Sequence, residues 1–305
     1  MKIKLLSTVI AGVILAGCGS DNNNSVTTPE VKTYTLQAFD GAIKGIEGTF
    51  SCTNGETGKI AKTDGYGNSI VSNNTLATEP ETCTVKFNPT SGAIDMSNNK
   101  DMSNVSYSIP KGLMVAGQAA ATPISSLIAK YMEDNQITEC DESTASEVFT
   151  LLDIDTSSFD INEFLLTPKS ALDKLATANP AVHKDLLAKT FVLSDVLTSQ
   201  DGKESSIEDM ATVTKRTSEA LITAHPNFPK SANNGMPINE SFVDDFNESF
   251  EVIADPKQDL PDSLKDKVAD PSTGTEIDPE TGKPTGGTGG GTGGGDGSSG
   301  GGTGN

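Results

Sequence analysis

Hydrophobic residues change their spacing once along this chain, between Met114 and Thr122, and few architectures accommodate such a change. From about Lys32 to Met114 the apolar runs are short: Tyr34–Phe39, Gly48–Cys52, Lys59–Thr63, Ser69–Ser72 and Cys83–Phe87. Asn54-Gly55, Asp64-Gly65 and Gly67-Asn68 punctuate them. Runs of this length between tight-turn dipeptides predict antiparallel strands in a small sandwich. From Thr122 to Ala254 the spacing becomes helical. Thr122 suits an N-cap and Pro123 a first helical position, while Ile124, Leu127, Ile128 and Met132 share one face. The expected class is α+β, a small N-terminal antiparallel β-sandwich followed by a helical domain.

Further helix starts are readable by the same chemistry. Thr144-Ala-Ser-Glu147 has the form of a capping box ahead of Val148 and Phe149, and Ser205-Ser-Ile-Glu208 repeats it ahead of Met210 and Val213. Thr167-Pro168 predicts a helix to Ala178, and Asn179-Pro180 a longer one carrying Leu186, Phe191, Val192 and Val196 on a broad face. His225-Pro226 should stop the helix before it. A last helix is expected from near Asn239, with Phe242, Phe246, Phe250 and Ile253 as a core-facing stripe. After Asp255-Pro256 order is expected to fade. Asp270-Pro-Ser-Thr-Gly-Thr-Glu-Ile277 is echoed by Asp278-Pro-Glu-Thr-Gly-Lys-Pro-Thr285, and residues 285–305 hold 13 glycines among 21. Such a tail has little apolar area to bury and reads as flexible coil.

The N-terminus carries an address. Lys2 and Lys4 precede an apolar run from Leu5 to Ile14, too short to span a hydrocarbon core of ~30 Å but suited to a secretory signal. Leu15-Ala16-Gly17-Cys18 then resembles the lipobox of bacterial lipoproteins. That resemblance implies a lipidated Cys18 as first mature residue, and Gly19 after it implies the outer membrane, on its periplasmic or extracellular face. The expected divisions are a signal peptide over 1–17, lipidated cysteine and flexible tether over 18–31, a β-domain over 32–114, a helical domain over 115–265 and a disordered tail over 266–305.

A second resemblance lies in the middle of the chain. Asp40-Gly41-Ala42-Ile43-Lys44-Gly45 followed by Thr63-Asp64-Gly65-Tyr66-Gly67-Asn68 is similar to Ig-like or transthyretin-like β-modules of bacterial surface proteins, departing at Ile46-Glu47. Ser91-Gly92-Ala93-Ile94-Asp95, Ile109-Pro110 and Ala121-Thr122-Pro123-Ile124-Ser125-Ser126-Leu127-Ile128 resemble the junction at which adhesin-like chains pass from a β-module to helices, with Ser125-Ser126 in place of the usual threonine pair. The implied setting is an adhesin-like or accessory surface protein.

Charge and cysteines bound the chemistry. The formal charge is −20, so nucleic acid and anionic headgroups are repelled and membrane attachment rests on the lipid anchor. Besides Cys18 there are three cysteines. Cys52 and Cys83 lie in predicted strands of one segment and are the expected disulfide in an oxidising compartment. Cys140, within Thr138-Glu139-Cys140-Asp141-Glu142, is flanked by acids that oppose a thiolate.

No catalytic set is legible. His183 and His225, the only histidines, sit at helix edges, with no G-x-S-x-G elbow beside them and no zinc spacing. Asp153-Ile-Asp155-Thr-Ser157 has oxygen ligands at calcium-loop spacing, but Ser158 replaces the turn glycine and Phe164 the bidentate glutamate, so a helix-ending turn with a new cap fits better. The expectation is a lipid-anchored envelope protein, not an enzyme, with no cofactor and no metal, binding a protein partner. The alternatives are a periplasm-facing assembly factor for a secreted or outer-membrane partner and, less favoured, an enzyme of unrecognised type.

Overall fold

A computed structural model describes residues 32–285. Cys18, the signal peptide, the tether to residue 31 and the glycine-rich residues 286–305 lie outside the described residues.

The strands run β1 Thr33–Ala38, β2 Ile43–Lys44, β3 Glu47–Cys52, β4 Thr57–Ile60, β5 Asn68–Ser72, β6 Cys83–Asn88, β7 Ile94–Asp95, β8 Tyr107–Ile109 and β9 Gln118–Ala121. They form a four-stranded sheet in the order β4-β3-β6-β8, a three-stranded sheet β5-β1-β9 and a small pair β2-β7. Alternation explains which faces are buried: in β3 Gly48, Phe50 and Cys52 point inward while Glu47, Thr49 and Ser51 face water. Cys52 stands opposite Cys83 across β3 and β6, and the two are joined by a disulfide.

The sandwich departs from the antiparallel expectation at one place. β1 pairs with β9 in parallel, Thr35 opposite Gln118 through Ala38 opposite Ala121. A strand therefore lies beyond residue 114, where the helical part was expected to begin, and it completes the three-stranded sheet. Parallel pairing needs a long crossover, and the whole of β2–β8 supplies it.

The helices are α1 Asn74–Thr78, α2 Pro123–Asp134, α3 Glu142–Leu151, α4 Ile161–Leu166, α5 Pro168–Ala178, α6 Pro180–Ser199, α7 Ile207–Ala224, α8 Val243–Ala254 and α9 Asp262–Ala269. Thr122 caps α2 in a reciprocal box with Ser125, and Pro123 is its first residue. The serine pair also stitches α2 to β8: Ser125 Oγ donates to the Ser108 carbonyl at 2.7 Å, and Ser108 N–H donates to Ser126 Oγ at 2.8 Å. α5 and α6 begin at Pro168 and Pro180, as their Thr-Pro and Asn-Pro pairs predict.

Three helix starts and the tail correct the sequence expectation. Ser206, not Ser205, caps α7, its hydroxyl accepting from Asp209 N–H at 3.0 Å. Asp141, not Thr144, caps α3. Its carboxylate accepts from both the N–H and the hydroxyl of Thr144 at 2.8 Å, which places Thr144 inside the first turn. α8 begins at Val243 rather than Asn239, since Asn239 N–H is already bonded to the Ser272 carbonyl. Order persists beyond Asp255-Pro256 and through the first twenty residues of the expected disordered tail. α9 buries Leu264 and Val268, and the following strap to residue 285 is bonded onto the body.

One apolar cluster runs from Tyr34, Ile43 and Phe87 in the sheets to Leu127, Phe149, Val192 and Phe246 in the helices. The described residues fall in one compact unit, and sheets and helices contribute to one apolar core.

Candidate functional site

Five segments converge on one polar cluster. Asp40 comes from the turn after β1, Asp95 from β7, Lys100 from the following loop, Tyr107 from β8, and Ser194 with Asp195 from α6. Local chemistry places each one. Asp40-Gly41 turns the chain at a positive φ that glycine accommodates, and a Cβ at Gly41 would come within 2.3 Å of Asp95 Oδ1. Asp95 closes its own turn, accepting from Ser97 N–H at 2.8 Å and Ser97 O–H at 2.7 Å.

The charges are unevenly matched. Lys100 Nζ donates to both oxygens of Asp195, at 2.8 and 2.9 Å, and sits 4.1 Å from the centre of the Phe191 ring. Both side chains of this pair are under 5% exposed. Asp195 Oδ2 also accepts from Phe242 N–H at 2.9 Å, which pins the start of α8 to α6. Tyr107 O–H donates to Asp40 Oδ2 at 3.2 Å and shares a 2.6 Å bond with Ser194 Oγ. Asp40 Oδ1 meets neither solvent nor a hydrogen-bond partner.

Two buried carboxyls, Asp95 and Asp195, and the half-buried Asp40 thus share a single lysine. Loss of hydration holds the Asp40 carboxyl well above the usual carboxylate range. Repulsion from Asp95 and Asp195 adds to this, while Lys100 and Ser194 act against it. Burial raises Asp95 to about 6, tempered by its bonds from Ser97 and by Lys100. Burial, then the Asp40 charge, likewise pushes the Tyr107 hydroxyl upward. Asp40 therefore holds its proton to a higher pH than an exposed carboxyl does.

Above this cluster opens a cleft of about 660 Å³, within the size range of small-molecule sites. Asp40 belongs to its lining, together with Phe39, Phe191, Phe228, Ile238 and Ile277. The strap after α9 forms one wall. Ile277 N–H donates to the Met96 carbonyl at 2.7 Å, Gly274 N–H to the Pro237 carbonyl at 2.8 Å, and Tyr66 O–H to Glu280 at 3.2 Å. Gly274 packs so closely that an added Cβ would lie 1.8 Å from the Asn98 carbonyl oxygen.

The residues singled out in the sequence have other placements. His183 lines the cleft, and burial lowers its pKa. His225 is fully buried at the C-terminal end of α7; its Nδ1 accepts from Ala232 N–H at 2.9 Å and its Nε2 lies 2.7 Å from the Val268 carbonyl, which ties α9 to α7. Cys140 is buried and free, its thiol pushed up to about 11 by burial and then by Asp141. In the acidic stretch 153–163 the carboxylates serve as caps: Asp155 accepts from Ser157 N–H at 2.9 Å and Asp160 from Glu163 N–H at 3.0 Å. Among the described residues no three His, Cys, Asp or Glu side chains are grouped to hold a metal ion, and no helix is long and apolar enough to cross a membrane.

Sequence reasoning missed the cluster entirely. Asp40 reads as a turn residue and Asp95 as part of the junction motif, and nothing local marks Lys100, because their partners lie tens of residues away. The one available signal was the doublet Ser194-Asp195 on the otherwise apolar face of α6. No protein-family model matches the chain, and neither a curated protein nor a solved structure is similar to it.

Proposed function

We propose that this protein is a lipid-anchored component of the bacterial outer membrane whose folded head has a non-catalytic binding role, as an adhesin-like or accessory surface module. The observation that carries the binding part is the cleft of about 660 Å³, walled by β-sheet turns, α5–α6 and the strap, with a largely apolar lining that includes Asp40. A shared core beneath it keeps that shape without a ligand. The anchor part rests on Leu15-Ala16-Gly17-Cys18 and on the net charge of −20, which leaves acyl chains as the means of holding a membrane. The non-catalytic part is supported by the use of His225 as an α7–α9 tie and by a Cys140 thiol that is buried and protonated.

Two measurements test this reading. Metabolic labelling with palmitate should mark the wild-type chain and not Cys18→Ala; equal labelling of both would overturn the anchor. A photo-crosslinking residue at Leu187 or Ile277 in intact cells should yield an adduct that is missing when the same residue replaces Ile70, an exposed position away from the cleft. Adducts of equal yield at all three positions, or none at any, would overturn binding through the cleft.

A further inference from the structure

Resting on that binding reading, we infer that the cleft and a polar groove continuous with it hold a neutral oligosaccharide, one ring stacked on Tyr66 and its hydroxyls bonded to Gln37, Asn68 and Gln118. The groove, about 480 Å³, is lined by α5 and by the outward face of β5-β1-β9, and it shares Gln37, Asn68, Lys169 and Asp173 with the cleft. Strand register builds its floor. Gln37 stands opposite Asn68 across β1 and β5, and Thr35 opposite Gln118 across β1 and β9. Alternation turns these four side chains outward, while Leu36 and Val71 point into the core.

Tyr66 supplies a platform beside these amides. It is 45% exposed, yet it is held at three points. Its N–H donates to Asp64 Oδ1 at 2.8 Å, its carbonyl accepts from Gln37 Nε2 at 3.0 Å, and its hydroxyl donates to Glu280 at 3.2 Å. Gly65 before it packs so closely that a Cβ would lie 2.1 Å from the Pro279 carbonyl oxygen. An aromatic side chain that is partly in water and already fixed loses little freedom when a ligand stacks on it.

Hydrogen-bonding chemistry selects the ligand class. Gln37 Oε1 remains an acceptor after Nε2 is used, and the side-chain amides of Asn68 and Gln118 bond to no other described group. Each amide offers both donors and an acceptor, the complement of a sugar hydroxyl, which is donor and acceptor at once. Charge within the groove is cancelled locally, because Lys169 is paired with Asp173 at 2.8 Å and Lys174 with Glu163. An ionic ligand gains no unpaired partner there. A peptide is served less well, since the floor is the face of a sheet and not its edge, and a peptide backbone finds no ladder to join. The axial C–H groups of a pyranose ring suit the face of Tyr66, and apolar surface continues into the cleft along Phe39 and Leu187.

The test is titration calorimetry of the full chain in detergent with two probes, cellotriose and triacetylchitotriose. At least one should bind, with a Kd that changes by less than about twofold between low and high salt, as an uncharged ligand requires. Tyr66→Ala should weaken that binding about tenfold or more and Gln118→Ala about threefold or more. Tyr66→Phe, which keeps the ring, and Ile70→Ser, an exposed position outside both hollows, should stay within about threefold of wild type. Binding of neither saccharide, a strongly salt-dependent Kd, or affinity indifferent to both Tyr66→Ala and Gln118→Ala would overturn the oligosaccharide assignment. A crosslink from Leu187 or Ile277 in intact cells alongside any of those results would leave binding through the cleft standing and remove only the ligand class, and a protease-sensitive adduct would then assign the cleft to a peptide.

Discussion

Asp95→Asn should make the protein more stable at neutral pH and leave it nearly unchanged in acid. Asp95 is 1% exposed, and burial raises its carboxyl from an ordinary 3.8 to about 6. The folded chain therefore holds this proton to higher pH than the unfolded chain does. Between those two values it binds more protons than the unfolded state, so stability falls as pH rises through the window. The contribution is complete below about 3.8 and lost above about 6. At 1.36 kcal/mol per pH unit, the interval corresponds to about 3 kcal/mol. Asparagine keeps an oxygen to accept from Ser97 N–H and O–H, and it does not ionise. The stability of the variant minus that of wild type should thus grow by about 3 kcal/mol between about pH 4 and about pH 7. The chain has no tryptophan, so urea unfolding is followed by far-ultraviolet circular dichroism. A difference that stays constant across this range, or shrinks with rising pH, would refute the assignment of Asp95 as a buried, destabilising charge.

Lys100→Met should cost about 3–5 kcal/mol in the same unfolding assay, because it leaves Asp195 buried and charged with only Phe242 N–H for a partner; a loss below about 1 kcal/mol would show that the pair is not desolvated. Cys140, buried and pushed up to about 11, should resist a maleimide at about pH 7 in the folded protein and react once the chain is unfolded. Equal labelling rates in the two states would contradict its burial. Gly274→Ala should lift the strap from the body, since its Cβ would lie 1.8 Å from the Asn98 carbonyl oxygen. Hydrogen exchange at Ile277 N–H, which bonds the Met96 carbonyl, should speed up, and unchanged exchange would show that the strap tolerates the methyl group.

Much of the secondary structure is legible in the chain because its causes are local. Thr122 and Asn179 each cap a helix through a bond to a residue three positions on, and that reach is visible in a short window of sequence. Cys52 and Cys83 can be paired because two adjacent strands carry them. The strap escapes such a reading for the same reason. Its Gly, Thr and Pro content predicts coil, whereas its order comes from backbone bonds to Pro237 and Met96 and from burial of Ile277, none of which is local.

What the sequence by itself determined is the succession of elements, strands giving way to helices, together with most helix starts and the class of the fold. Those depend on turns, caps and apolar spacing within a few residues. The tertiary structure alone decided that β9 returns in parallel beside β1, merging sheets and helices around one core. It alone decided that Lys100 meets Asp195 across 95 positions while Asp40 is left without a countercharge. Burial of a charge depends on everything packed around it, and an aspartate unremarked in a surface turn holds its proton more tightly under a cleft.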